Sequence, residues 1–154
     1  MDDLKILPEW KQAVKEFLAA KFTVGDVISH AWLEERFGMV SLKDDESLTV
    51  AEFQKRQFVW LANIEAFKNE LLEGHQIFLS SVHGEGYRII PPGEQTEAAQ
   101  EKFEREAKKA YRRAAMTLKN VRVSELTDAE KQTNTDAIAR LAMLRGMHKG
   151  LNVD

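Results

Sequence analysis

Between Lys102 and Arg122 the sequence holds eight basic residues against two acids, Glu104 and Glu106. Six of the eight, Arg105, Lys108, Lys109, Arg112, Arg113 and Lys119, fall on one side of a helix, because residues three and four apart share a face. The chemistry open to such a stripe is phosphate contact, in which several cations together give salt-sensitive, sequence-independent affinity for a polyanion. A solvated face of an ordinary helix is the other open reading. A membrane surface fits less well, since the opposite side of the same stretch is mostly alanine and buries little area per turn. The formal net charge of −3 conceals this asymmetry, because residues 1–53 hold eleven Asp or Glu against six Lys or Arg. A polyanion is drawn first to the later segment.

Residue types with catalytic potential are not spaced for catalysis. The four histidines, His30, His75, His83 and His148, include no pair at ligand spacing on one helix, and neither His-Glu-x-x-His nor Gly-x-Ser-x-Gly occurs. His83-Gly84-Glu85-Gly86 lacks the following helix that a phosphate loop needs and reads as a tight turn. Asp44-Asp45-Glu46 lacks the calcium-loop pattern and reads as a solvated loop. The absence of cysteine removes disulfides, thiolate metal sites and a cysteine nucleophile. The expectation is a protein that is not an enzyme, with no metal and no cofactor. The start, Met1-Asp2-Asp3-Leu4, is acidic where a signal peptide is basic, and no apolar run approaches the roughly 18 residues of a membrane span. A cytoplasmic protein with no membrane association is expected.

The elements that must carry the stripe follow from periodicity. Trp10, Ala13, Val14, Phe17 and Leu18 recur at helical spacing after Pro8 and predict a first helix to Phe22. Thr23 to Asp26 offers a cap for a second helix through Val27, Ile28, Ala31 and Phe37, stopped by Gly38. Leu48-Thr49 is expected to cap a long third helix ending at Gly74, with Phe53, Trp60, Ile64, Phe67 and Leu71 as its core stripe. The run Gln76 to Leu79, the glycines Gly84 and Gly86, and Tyr87 to Ile90 predict a two-stranded ribbon. Pro91-Pro92-Gly93 ends the ladder and sets a domain boundary at residue 93.

Beyond it, Phe103, Ala107, Ala110, Ala114, Thr117 and Val121 form a seam spaced four and three, on a helix from Thr96 to Val121. Thr127-Asp128-Ala129-Glu130 is a capping box for a last helix, with Ile138, Leu141, Leu144 and Met147 or His148 on one face. The class expected is mainly α with a small β-hairpin, and residues 94–154 form a basic helical hairpin whose alanine-rich seam opens a homodimer through the C-terminal helices. Of the tryptophans, Trp10 and Trp60 read as core, and Trp32 as packed against another element or a partner.

Val82, Gly84, Gly86, Tyr87 and Arg88, after the apolar strand Ile77-Phe78-Leu79, fill the pattern Val-x-Gly-x-Gly-Tyr-Arg. With the helix Ile64 to Leu72 before them, they resemble the recognition helix and wing of response-regulator-type transcription factors. The match covers about a quarter of the chain, and that family's N-terminal sheet and receiver domain have no counterpart here. The resemblance implies a winged helix-turn-helix in residues 1–93, as in a small stand-alone regulator of the kind bacteriophages and mobile elements encode. It further implies contacts to double-stranded DNA from Lys55, Arg56, Asn63 and Lys68 on the helix and from His83 and Arg88 on the wing, joined by the basic stripe. The expected function is DNA-binding transcriptional regulation. The outward face of the third helix, with Lys55, Phe58, Val59, Ala62, Ala66 and Asn69, is nearly neutral and apolar. That opens an alternative, a protein-interaction module that binds or inhibits a host protein through Phe58 and Val59.

Overall fold

The computed structural model describes residues 8–39 and 47–150, so the acidic start and the stretch Asp44-Asp45-Glu46 lie outside the described residues. The chain divides into two compact units, the first ending at Gln95 and the second starting at Thr96. The architecture is mainly helical with a small antiparallel sheet.

In the first unit, α1 (Glu9–Ala19) buries Ala13, Val14 and Phe17, one face of a helix by their spacing. The next element corrects the sequence reading. Val27–Ser29 is a strand, β1, and helix α2 (His30–Arg36) starts only after it. Two β-branched residues favour the extended backbone here, and the exposed-buried-exposed alternation puts Ile28 into the core. Asp26 caps nothing helical. Its carboxylate accepts from the backbone N–H (2.8 Å) and hydroxyl (3.0 Å) of Thr23 and closes a turn, while the hydroxyl of Ser29 accepts from the N–H of Trp32 at 3.1 Å and is the true cap of α2.

Helix α3 (Val50–His75) begins as expected, with the Thr49 hydroxyl accepting from the N–H of Glu52 at 3.2 Å. Only Ile64, Phe67 and Leu71 of its stripe are buried; Phe53, read as core, is exposed, and Trp60 is half-buried. From Val50 to Gln57 no residue of α3 is buried, so the helix overhangs its core. Thr49→Ala is therefore expected to fray the overhang alone: losing a cap worth about 1 kcal/mol speeds hydrogen exchange at the following amides about fivefold. Exchange at Ile64 to Leu71 should stay unchanged; a uniform rise across α3 would contradict the overhang.

The helix ends at Gln76, in the left-handed conformation (φ 55°), two residues past the expected stop at Gly74. Gln76 donates its N–H to Leu71 and Leu72, and Ile77 donates to Leu71 at 2.9 Å, which satisfies the last carbonyls of the helix. The segment Gln76 to Phe78 is thereby consumed in the cap, and the strand expected there moves to Leu79–Val82, β2. It pairs with β3 (Gly86–Ile89), Leu79 opposite Ile89, and β3 pairs in turn with β1, Ile28 opposite Tyr87. The expected two-stranded ribbon is thus a three-stranded sheet in the order β1-β3-β2. Its inward residues Ile28, Leu79 and Ile89 close the core over α1, α2 and α3.

Pro91-Pro92-Gly93 ends the sheet but starts the next helix, α4 (Pro92–Lys119), since the fixed φ of proline suits a first helical turn. A 3-10 turn (Val123–Glu125) leads to α5 (Asp128–Gly150). Thr127 and Glu130 form the reciprocal capping box, each side chain accepting from the other's N–H at 3.2 Å. The helices run antiparallel, with His148 near the end of α5 between Phe103 (5.3 Å) and Tyr111 (6.1 Å) of α4. The half-buried seam of α4 is Ala107, Tyr111, Ala114, Ala115 and Leu118, continued by Val121 just past its end; Ala110 and Thr117, expected in it, are exposed, as is Phe103. On α5, Ile138, Leu141 and His148 face inward, whereas Leu144 and Met147 are exposed. On α4 the seam keeps its heptad spacing but is rotated by one position toward Tyr111 and Leu118, which cover more apolar area than Ala110 and Thr117.

Candidate nucleic-acid interface

The residues named on α3 and the adjoining ribbon are mostly engaged within their own unit. Arg56 donates to the carboxylate of Glu34 at 3.1 Å, with its side chain 18% exposed. Lys68 pairs with Glu65 at 3.5 Å and lies 5.4 Å from the centre of the Tyr87 ring, a cation-π contact. Arg88 pairs with Glu94 at 3.5 Å. The Asn63 amide donates to the carbonyl of Val59 on its own helix at 2.8 Å. Lys55 and His83 are exposed, His83 in the turn between β2 and β3. The outward face of α3 therefore offers one cation, Lys55, among Phe58, Leu61 and Ala62.

The tryptophans are packed rather than presented for base stacking. Trp32 lies edge-on to Phe22 at 5.4 Å and carries the Arg36 guanidinium 4.0 Å above its ring; Trp60 is held between His30 (5.7 Å) and Phe37 (5.6 Å). Tyr87 anchors the sheet to α3, stacked 6.5 Å from Trp60. Burial, and secondarily the nearby Glu65 carboxylate, raise the Tyr87 phenol above its ordinary value of 10.0. The neutral phenol is thus favoured by folding, and its contribution is complete below pH 10 and lost as pH rises through the raised value. Melting temperatures measured from pH 8 upward should fall less steeply in Tyr87→Phe than in wild type above pH 10; parallel curves would show that this phenol does not couple to folding.

On α4 the stripe stands free. Arg105, Lys108, Lys109, Arg112, Arg113 and Lys119 are all exposed, and none makes an ion pair with a described residue. From Arg105 to Lys119 they cover about 21 Å of helix at 1.5 Å per residue. Residues 96–154 hold twelve Lys or Arg against nine Asp or Glu, whereas residues 1–95 hold ten against sixteen, so the second unit is net positive and the first net negative. No family model, curated protein or solved structure matches the chain.

Two cations that sequence reasoning missed belong to the same unit. Arg145 and Lys149 of α5 line two adjoining hollows, one with Tyr111 and Lys119 of α4 and the other with Lys108 and Tyr111. Their signal was available, since no acid follows Asp136 in α5 while Arg140, Arg145 and Lys149 do. Among the described residues no cluster of three His, Asp or Glu side chains is placed to hold a metal ion, and no helix is long and apolar enough to cross a membrane.

Proposed function

We propose that this protein is a non-enzymatic, DNA-binding transcriptional regulator on a winged-helix scaffold, whose affinity for duplex DNA comes chiefly from α4. The observation that carries this reading is the set of six exposed cations on one face of α4, none of them paired with a described residue. Cations that fold without a carboxylate partner keep their charge for an external one, and phosphates of a duplex are the densest supply. The scaffold reading is supported by the element order α1-β1-α2-α3-β2-β3, with β1 added to the edge of the wing strands. On this account the hairpin supplies the electrostatic grip, while the cations of α3 and the wing, mostly paired within their own unit, add little to it. The half-buried rather than fully buried seam of α4 and α5, with Met143, Leu144 and Met147 left exposed, supports a homodimer through the hairpin. Titration of labelled random-sequence duplex at 50 and 200 mM salt tests the reading. If all six cations meet phosphates, affinity should fall about 10³-fold over that range; no binding at the lower salt would overturn it.

A protein-interaction module is favoured by a different observation. Val50, Phe53, Phe58 and Leu61 in the first half of α3 are 75%, 51%, 71% and 58% exposed, an apolar patch larger than a solvated helix needs. Val59, expected to share this face with Phe58, is half-buried. Phe58→Glu would abolish capture of a protein partner and leave duplex affinity intact, which separates the two readings.

A further inference from the structure

Between α4 and α5 a groove of about 370 Å³ is lined by Tyr111, Lys119, Arg145 and Lys149, and it adjoins a second hollow of about 330 Å³ that shares Tyr111, Arg145 and Lys149 and adds Lys108. Lys108 and Lys119 stand about 16 Å apart along α4 at 1.5 Å per residue, so the positive charge runs the length of the groove rather than capping one end. All four cations are exposed and none pairs with a described carboxylate; among the described residues Glu104 is the one acid lining the hollows, beside Lys108.

Gly146 adds an independent observation. It sits inside α5, where glycine costs roughly 1 kcal/mol relative to alanine, yet a Cβ at this position would meet no atom within 4 Å. Neither packing nor backbone conformation of this chain calls for glycine there. Its effect is to keep the groove wall low beside Tyr111.

We propose that this groove is a site for unpaired nucleotides, a single strand whose phosphates lie along the four cations while one base rests on the Tyr111 ring. A duplex hides the flat faces of its bases and meets the outer stripe through its phosphates alone, whereas an aromatic floor between cationic walls matches a strand whose bases are free to stack. The site deepens the nucleic-acid reading and rests on it: Lys108 and Lys119 belong to both surfaces, so duplex on the outer face and a melted or looped strand in the groove share one rim.

The test uses the full chain, labelled oligo-dT and, in parallel, labelled random duplex, each followed by fluorescence anisotropy at low salt. Gly146→Leu fills the groove without altering charge, Gly146→Ala tests for helix effects alone, and Arg145→Glu with Lys149→Glu removes cations that the outer stripe does not use. The proposal expects oligo-dT binding that Gly146→Leu weakens about tenfold, the order expected from losing one stacked base, and that the double variant weakens about 60-fold at 50 mM salt through two lost phosphate contacts, with duplex affinity changed less than about threefold by Gly146→Leu. Gly146→Ala should bind oligo-dT close to wild type and unfold at a higher temperature. Duplex binding with no oligo-dT binding, or oligo-dT binding that Gly146→Leu leaves unchanged, would overturn the groove site alone. Binding of neither nucleic acid would overturn the groove site and the nucleic-acid reading together.

Discussion

Replacing Arg112 and Arg113 together by glutamate is expected to weaken duplex binding about 100-fold at 50 mM salt. Each phosphate contact contributes through released counterions, and the slope of log affinity against log salt changes by about 0.9 per contact. Losing two contacts therefore makes the slope shallower by nearly 2, and at 50 mM the two are together worth roughly two decades of affinity. The fold should be untouched, because both side chains are exposed and neither pairs with a described residue. The matched control is Arg56→Met with Glu34→Leu on the first unit, which removes an internal ion pair and should leave duplex affinity within about threefold of wild type. Equal losses in the two variants would move the binding surface to α3.

The second large effect concerns stability. Gly86 opens β3 with φ +155°, buried opposite Ser29 of β1, and a Cβ there would land on the carbonyl oxygen of Ile28. The obstacle is backbone, which cannot rotate away as a side chain can, so Gly86→Ala must part β1 from β3 or shift their register. A loss of about 3 kcal/mol or more is expected in urea denaturation, with β1 and the start of α2 the first segments to lose exchange protection. Gly84 is the comparison. It lies in the same turn at φ +75°, but a Cβ there meets nothing within 4 Å, so Gly84→Ala should cost only the left-handed conformation, about 1 kcal/mol. Equal costs at the two positions would show that strand closure does not depend on Gly86.

The contrast between these glycines marks what the sequence could and could not convey. The pattern of turn and strand residues identifies β3 and its glycines, but the need for Gly86 arises from β1, a strand three residues long in a stretch where helical spacing also fits. Val27 and Ile28 satisfy both periods, and only pairing across the sheet decides between them. Local chemistry was legible where it is self-contained: the Thr49 cap and the Thr127–Glu130 box involve residues three apart and stand as read. The stop of α3 was misplaced because Gln76 takes a left-handed conformation that glycine usually supplies.

For the candidate site, the cations of α4 were legible because a helix turns sequence spacing directly into a face. The fate of Arg56 and Arg88 was not. Their partners, Glu34 and Glu94, lie on other elements, Glu34 at a separation of 22 residues, and only the folded unit brings them together. The seam of the hairpin was placed one position away on α4 because alanine and leucine fit the same spacing, and area buried rather than spacing selects Tyr111 and Leu118.

The claim on which the rest depends is that duplex DNA is gripped by α4 and not by α3. Lysine acetylation with and without saturating duplex, read residue by residue by mass spectrometry, tests it directly. Lys108, Lys109 and Lys119 should be protected several-fold by DNA, while Lys55 and Lys68 should react at the same rate in both samples. Protection of Lys55 without protection on α4 would contradict the account and return the duplex to the outward face of α3.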